Sequence, residues 1–274
     1  MNDKLLNIAI LAAVKAGKEI LNIYKSDNFE LNFKQDNSPL TIADKKAHEI
    51  IKDTLIKTNI PLLSEEGSKI DFEKRRNWNY LWIVDPLDGT KEFVKKNGEF
   101  TVNIALIFNN EVVMGVVYSP CLKKLYFNQI DGNAFLTNNI DVDFKENELL
   151  KFIFENKEQL PKQRNKSLKV VASRSHLSKE TKEYIDNLKS QYNDIEIVNI
   201  GSSLKLCLIA EASADIYPRF APTMEWDTAA GHAIINAAGG NILNSKTNEE
   251  LLYNKENLLN PWFIAKMKTT DLSS

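Results

Sequence analysis

A chain of 274 residues, 43% hydrophobic and 26% charged, has the make-up of a globular protein with room for one large domain or two joined subdomains. Its formal net charge of -2 excludes the strongly basic field by which nucleic acid or an anionic membrane surface is held. The two cysteines, Cys121 and Cys207, have no metal-ligand spacing and read as thiols kept reduced in a cytoplasmic protein.

Leu6, Ile10, Ala13, Val14, Gly17, Leu21 and Tyr24 recur at helical spacing, which predicts an amphipathic helix over 3–25. Lys15, Lys18 and Glu19 interrupt that stretch, so it has neither the layout of a signal peptide nor a membrane-length apolar run. Ser38-Pro39 opens a second helix, 41–57, whose apolar positions are Ile42, Ala47, Ile50, Ile51 and Leu55. A short strand at Leu62-Leu63 comes next. Tyr80-Leu81-Trp82-Ile83-Val84 then reads as a buried strand ending at Asp85. Runs at 100–108 and 112–118, joined by Asn109-Asn110, predict an antiparallel hairpin. Weaker strands near 124–127 and 133–137 extend the same sheet.

From Asn138 to Lys166 the chain is polar and irregular. This predicts two subdomains, 1–140 and 165–274, with 141–164 as a variable connection. Strand 168–173, helix 178–190, strand 195–199, helix 203–212, strand 214–217, helix 227–238 and strand 241–243 follow in alternation. Gly239-Gly240 caps the last helix, and Trp262-Phe263-Ile264-Ala265 forms a closing strand. The order predicts a layered α/β (α+β) fold with two sheets.

The residues with the most chemistry are Asp85-Pro86-Leu87-Asp88-Gly89-Thr90, at the end of the apolar strand. Two carboxylates three positions apart repel each other unless a cation lies between them. Hard oxygen ligands on a tight turn suit Mg²⁺, although Asp, Pro and Gly are also ordinary turn residues. Glu65 and Glu66, in Ser64-Glu65-Glu66-Gly67, are presented at another strand end, or are simply solvated. Asp44 and Asp227 each lie in the first turn of a helix, where an acid caps or complements the dipole.

Taken together these segments form a recognisable series: SEEG at 64–67, WIVDPLDGTKEF at 82–93 and EWDTAAGHA at 225–233. The chain resembles the Mg²⁺-dependent, lithium-sensitive phosphatase superfamily of inositol monophosphatase and fructose-1,6-bisphosphatase. Within it, the chain is most similar to the bacterial CysQ-type 3′(2′),5′-bisphosphate nucleotidases. The supporting strings are KQDNSPLTIAD at 34–44, DGTKEFVKKNGEFTVNIALI at 88–107, ASRSH at 172–176, GSSLKLCLIAE at 201–211 and YPRFAPT at 217–223. Where inositol monophosphatases continue Asp-Gly-Thr with Thr-Asn-Phe, this chain has Lys91-Glu92-Phe93, which favours the nucleotidases. The resemblance spans nearly the whole chain except 138–166.

The resemblance implies an αβαβα sandwich of two mixed sheets and two or more Mg²⁺ ions per active site. Glu65, Asp85 and the Leu87 carbonyl would hold one ion, and Asp85, Asp88 and Asp227 a second. Glu65, Asp44 and Thr90 would be the catalytic groups, with the Thr90–Asp44 pair helping to orient and deprotonate water. Backbone N–H groups of Gly89 and Thr90 would hold the reacting phosphate. In the second half His176, Ser202, Ser203, Lys205 and Arg219 are the substrate-binding candidates. Arg219, one of five arginines, offers a planar fork that matches phosphate. His48 and His232 read as helix-packing residues. The implied activity is removal of the 3′-phosphate of adenosine 3′,5′-bisphosphate, a by-product of sulfate activation, by a monomer or homodimer. It requires no nucleic acid and no integral membrane association. Two other readings are an inositol or sugar phosphate phosphatase, and a non-catalytic cofactor for RNA processing or transcription. The complete acidic set argues against the latter.

Overall fold

The computed structural model describes residues 2–26, 32–33, 39–130, 132–162, 167–173, 178–192 and 194–268. Helix α1 (Asn2–Ser26) carries the apolar stripe of Leu6, Ile10, Ala13, Val14 and Ile20 into the core. A two-residue ladder of β1 (Asn32–Phe33) and β2 (Pro39–Leu40) leads to α2 (Ile42–Leu55). The hydroxyl of Thr41 caps α2 by accepting the Ala43 N–H at 3.1 Å. A 3₁₀ turn, Ile56–Thr58, ends that helix. The chain continues through β3 (Leu62–Ser64), α3 (Phe72–Arg75), β4 (Tyr80–Asp88) and α4 (Thr90–Val94). A meander follows, of β5 (Thr101–Phe108), β6 (Glu111–Ser119), β7 (Lys124–Asn128) and β8 (Ala134–Thr137). Asn109 and Asn110 join β5 to β6 with φ of 49° and 69°, the left-handed pair of a tight hairpin turn.

Two expectations differ here. Strand β4 does not stop at Asp85 but runs on to Asp88. The polar stretch 138–166 is not wholly irregular, for it holds α5 (Glu146–Glu155) and β9 (Glu158–Leu160). Helix α5 buries only Leu149 and Ile153, so its apolar pattern is diluted by the charged residues around it. The second half alternates β10 (Leu168–Ser173), α6 (Lys179–Gln191), β11 (Ile195–Ile200), α7 (Leu204–Ala210) and β12 (Ile216–Arg219). It ends with α8 (Glu225–Ala237), β13 (Gly240–Asn244) and β14 (Phe263–Met267).

Strands β3 to β9 form a seven-stranded sheet in sequence order, with β3 parallel to β4 and the other pairs antiparallel. The second sheet has the order β11-β10-β12-β14-β13, parallel in its first three strands and antiparallel in the rest. Strand β4 shows how the layers stack. Trp82 and Val84 face α1 and α2, whereas Leu81 and Ile83 face α7 and α8. Val171, Tyr217, Ile242 and Phe263 of the second sheet reach that same middle layer from the other side. Beyond, Val170, Ala172 and Ile216 pack on Ile185 and Leu188 of α6. The result is a five-layer αβαβα sandwich. Both faces of the central strands of the first sheet are covered, which is why β4 and β5 read as nearly continuous apolar runs.

The middle layer fits closely at Gly115 of β6. A Cβ there would come within 2.1 Å of the Ala230 carbonyl oxygen on α8, so only glycine allows the approach. Gly115→Ala is expected to destabilise the protein by roughly 2 kcal/mol or more, since backbone must move to admit the methyl group. Urea titration should show a lower midpoint with an unchanged slope, and an unmoved midpoint would contradict this contact.

Candidate active site

The site begins with a bulge. Asp85 lies opposite Asn103 and Asp88 opposite Thr101, so three steps along β4 match two along β5. In a regular strand, residues three apart point to opposite faces. The extra residue turns Asp88 to the face that already carries Asp85, which is the middle layer. Both aspartates line a cavity of about 260 Å³. Asp85 is buried, and its Oδ1 accepts the Leu87 N–H at 3.0 Å.

Parallel pairing of β3 with β4 brings in the next acid. Ser64 is in register with Val84, and the Glu65 N–H donates to the Val84 carbonyl at 3.1 Å, so Glu65 follows beside Asp85. Asp227 arrives from the first turn of α8, where its Oδ2 accepts the Met224 N–H at 2.9 Å. Carboxylate oxygens of Glu65, Asp85 and Asp227 lie within 4.8 Å of one another.

Burial and mutual repulsion raise Asp85 and Asp227. Burial pushes Asp85 well above the usual carboxylate range, and the charges of Glu65, Asp88 and Asp227 add to it. Asp227 is pushed up to about 8, by burial first and then by Asp88 and Glu65. Asp88 is raised by burial, but Lys205, the Ser203 backbone N–H and the Asn103 amide hold it back. Crowded hard-oxygen donors that resist ionisation together suit a divalent cation, whose charge removes the conflict.

Asp44 fills two roles at once. Its Oδ2 accepts the Thr41 N–H at 2.7 Å and the Thr41 hydroxyl at 2.6 Å, closing the start of α2. Its Oδ1 lies 3.1 Å from the Thr90 hydroxyl, at the cavity wall. Gly89 caps α4 with φ 93°, and a Cβ there would come within 2.9 Å of the Glu99 carbonyl. Leu87, Gly89 and Thr90 line the cavity as well.

The opposite wall comes from the second half. Ser202, Ser203, Lys205 and Arg219 all line it. Ser202 has φ 49°, and its carbonyl accepts the Lys205 ammonium at 2.5 Å. Burial lowers Lys205 to about 8, with the nearby Asp88 opposing the shift. The Ser203 hydroxyl is already engaged, 2.7 Å from both Thr101 Oγ1 and Asn103 Oδ1. Arg219 donates from Nη2 to the Pro222 carbonyl at 2.9 Å, while its buried Nε meets no acceptor among the described residues. His176 lies outside the described residues. His48 and His232 are both buried in helices. His48 Nδ1 is 2.9 Å from the Ser64 hydroxyl, and His232 Nδ1 is 2.9 Å from the Tyr253 hydroxyl.

Sequence reasoning passed over Tyr217 and Asn103. Tyr217 lines the cavity, and strand alternation alone would have placed it on the face of Arg219, two residues on. Asn103 is a polar residue inside the apolar run of β5, and that interruption was its signal.

The inositol monophosphatase family model matches residues 1–271. The chain belongs to that family. It is 45% identical over 242 residues to the 3′(2′),5′-bisphosphate nucleotidase CysQ of Buchnera aphidicola, covering 87% of this chain and 84% of the relative. To the nucleotidase CysQ of Escherichia coli it is 41% identical over 254 residues, covering 92% and 95%. Its fold matches the crystal structure of CysQ from Bacteroides thetaiotaomicron with a TM-score of 0.89 and 52% identity, over 98% of both chains. No helix of the described residues is long and apolar enough to cross a membrane.

Proposed function

We propose that this inositol monophosphatase family member is a Mg²⁺-dependent 3′(2′),5′-bisphosphate nucleotidase that converts adenosine 3′,5′-bisphosphate and water to AMP and phosphate. The observation that carries this reading is one cavity with an acidic wall from Glu65, Asp85, Asp88 and Asp227 and a cationic wall from Lys205 and Arg219. The identity to nucleotidases named CysQ supports the same substrate class.

Glu65, Asp85, Asp88, Asp227 and the Leu87 carbonyl are the groups that would hold two or more Mg²⁺ ions. Such ions supply charge neutralisation at the phosphate and a lowered pKa for water. The chain's own part is positioning. The Thr90 hydroxyl lies 3.1 Å from Asp44 Oδ1 and 3.3 Å from the Leu87 carbonyl; with its hydrogen on Asp44, the nearer acceptor, its oxygen is free to accept from an attacking water. Burial raises the Asp44 pKa, which makes the carboxylate a better proton acceptor. N–H groups of Gly89 and Thr90 would orient the reacting phosphate. Arg219 and Lys205 would grip the second phosphate, with Ser202 and His176 as further contacts. On this reading residues 1–140 supply most of the metal and phosphate groups and 165–274 select the substrate, with 141–164 connecting them. Asp227 crosses that division, so the site is complete only when both parts are docked.

A phosphate-release assay tests the proposal. Adenosine 3′,5′-bisphosphate should be hydrolysed only with Mg²⁺ present, and with kcat/KM well above that for inositol 1-phosphate or fructose 1,6-bisphosphate. Equal or better turnover of the sugar phosphates would make this a sugar phosphatase. No release from any of them would leave a non-catalytic role.

A further inference from the structure

Thr101, Asn103 and Ser203 are all buried, and they form a hydrogen-bonded chain that ends on Asp88. Asn103 Nδ2 donates to Asp88 Oδ2 at 3.4 Å. The Ser203 hydroxyl donates to Asn103 Oδ1 at 2.7 Å, and it lies 2.7 Å from the Thr101 hydroxyl. A hydroxyl has one hydrogen. Since that of Ser203 goes to Asn103, Thr101 must be the donor to Ser203. The direction of every link is then fixed: Thr101 to Ser203, Ser203 to Asn103, Asn103 to the carboxylate. The Ser203 backbone N–H also points to Asp88.

An asparagine here needs a reason. On its face of β5 the neighbours further along are Ala105 and Ile107, both in the apolar middle layer. A buried amide in such a place costs free energy unless both its ends are bonded. Here both ends are bonded, one to the start of α7 and one to the bulge of β4. The amide therefore ties the start of α7, where Ser203 and Lys205 lie, to the bulge of β4 between Asp85 and Asp88.

We propose that Asn103 is a positioning residue, held by Ser203 and Thr101, which keeps the Asp88 carboxylate turned into the cavity it shares with Glu65, Asp85 and Asp227 for metal binding. This inference rests on the metal reading above. Ser203 then acts through Asn103 rather than as a hydroxyl donor to substrate.

The test is Mg²⁺ titration by calorimetry, together with the Mg²⁺ concentration needed for half-maximal kcat. Partners that orient metal ligands typically contribute tenfold or more in affinity. Asn103→Ala should weaken Mg²⁺ binding roughly tenfold, while KM for adenosine 3′,5′-bisphosphate at saturating Mg²⁺ changes little. Ser203→Ala should shift Mg²⁺ affinity in the same direction by less, and Ser203→Thr should restore it. The double variant should be no worse than Asn103→Ala alone, because the two residues form one chain. Thermal midpoints without metal identify a variant that fails to fold. If Asn103→Ala does so, Ser203→Ala decides. Unchanged Mg²⁺ affinity in the folded variants would overturn the inference, as would a raised KM in place of weakened metal binding. Failure of the wild-type protein to bind Mg²⁺ would overturn the metal reading itself and this inference with it.

Discussion

Asp227→Asn should lower kcat by about a hundredfold or more, the loss seen when charge that stabilises the transition state is removed. The substitution keeps the shape of the side chain and an oxygen that can still accept the Met224 N–H, so the start of α8 should survive. What disappears is one negative charge from a cluster whose oxygens lie within 4.8 Å of one another. Asp88→Asn should act in the same direction. The complementary result concerns stability without metal. Burial and like charges hold Asp227 at about 8, against roughly 3.9 for an aspartate in the unfolded chain. Between these values the folded state binds the extra proton. Stability from this group is therefore complete below pH about 4 and is lost as pH rises through about 8. Asparagine cannot ionise. In metal-free buffer at pH 8 or above, the thermal midpoint of Asp227→Asn should exceed that of the wild type, and the two should converge near pH 4. Retention of most turnover at saturating Mg²⁺ would remove Asp227 from the metal set.

Much of the architecture is legible because burial imposes periodicity. Strand β4 alternates Leu81 and Ile83 with Trp82 and Val84 toward two separate cores, and such a run can only be a strand covered on both sides. Asn109-Asn110 marks the β5–β6 hairpin by the same local logic. The bulge was invisible, since nothing in Asp85-Pro86-Leu87-Asp88 states that the register with β5 slips by one residue. Without that slip an odd spacing would send the two carboxylates to opposite faces. The convergence of Glu65, Asp85 and Asp227 is equally non-local. It depends on β3 lying parallel to β4 and on α8 starting above them, and the sequence shows only three acids at the ends of elements. Resemblance to a family supplied that link. Asn103 was missed for a different reason: a single polar residue in an apolar strand reads as noise until its partners, a hundred residues away on α7, are known.

The prediction that bears on specificity concerns Arg219. It projects from β12 beside Tyr217 into the cavity, and Nη2 is committed to the Pro222 carbonyl at 2.9 Å. That bond sets the plane of the guanidinium, and its buried Nε has no acceptor among the described residues. A fork held in this way suits a phosphate oxygen, and its energy is available only to substrates that carry a second phosphate. Hydrogen bonds to charged groups contribute about 1.5–3 kcal/mol each. At about 1.4 kcal/mol per factor of ten, losing one means a fall of roughly ten- to hundredfold. Arg219→Ala should therefore lower kcat/KM for adenosine 3′,5′-bisphosphate by that factor and leave hydrolysis of 3′-AMP nearly unchanged. Arg219→Lys should recover part of the loss, because an ammonium restores charge without the planar fork. The control lies in the comparison of substrates. Arg219 also sits close enough to lower the pKa of Asp227, so a role in the metal site would depress both substrates equally. Equal losses would withdraw Arg219 from substrate selection and assign its charge to the acidic cluster. A loss confined to the bisphosphate would place the second phosphate against β12.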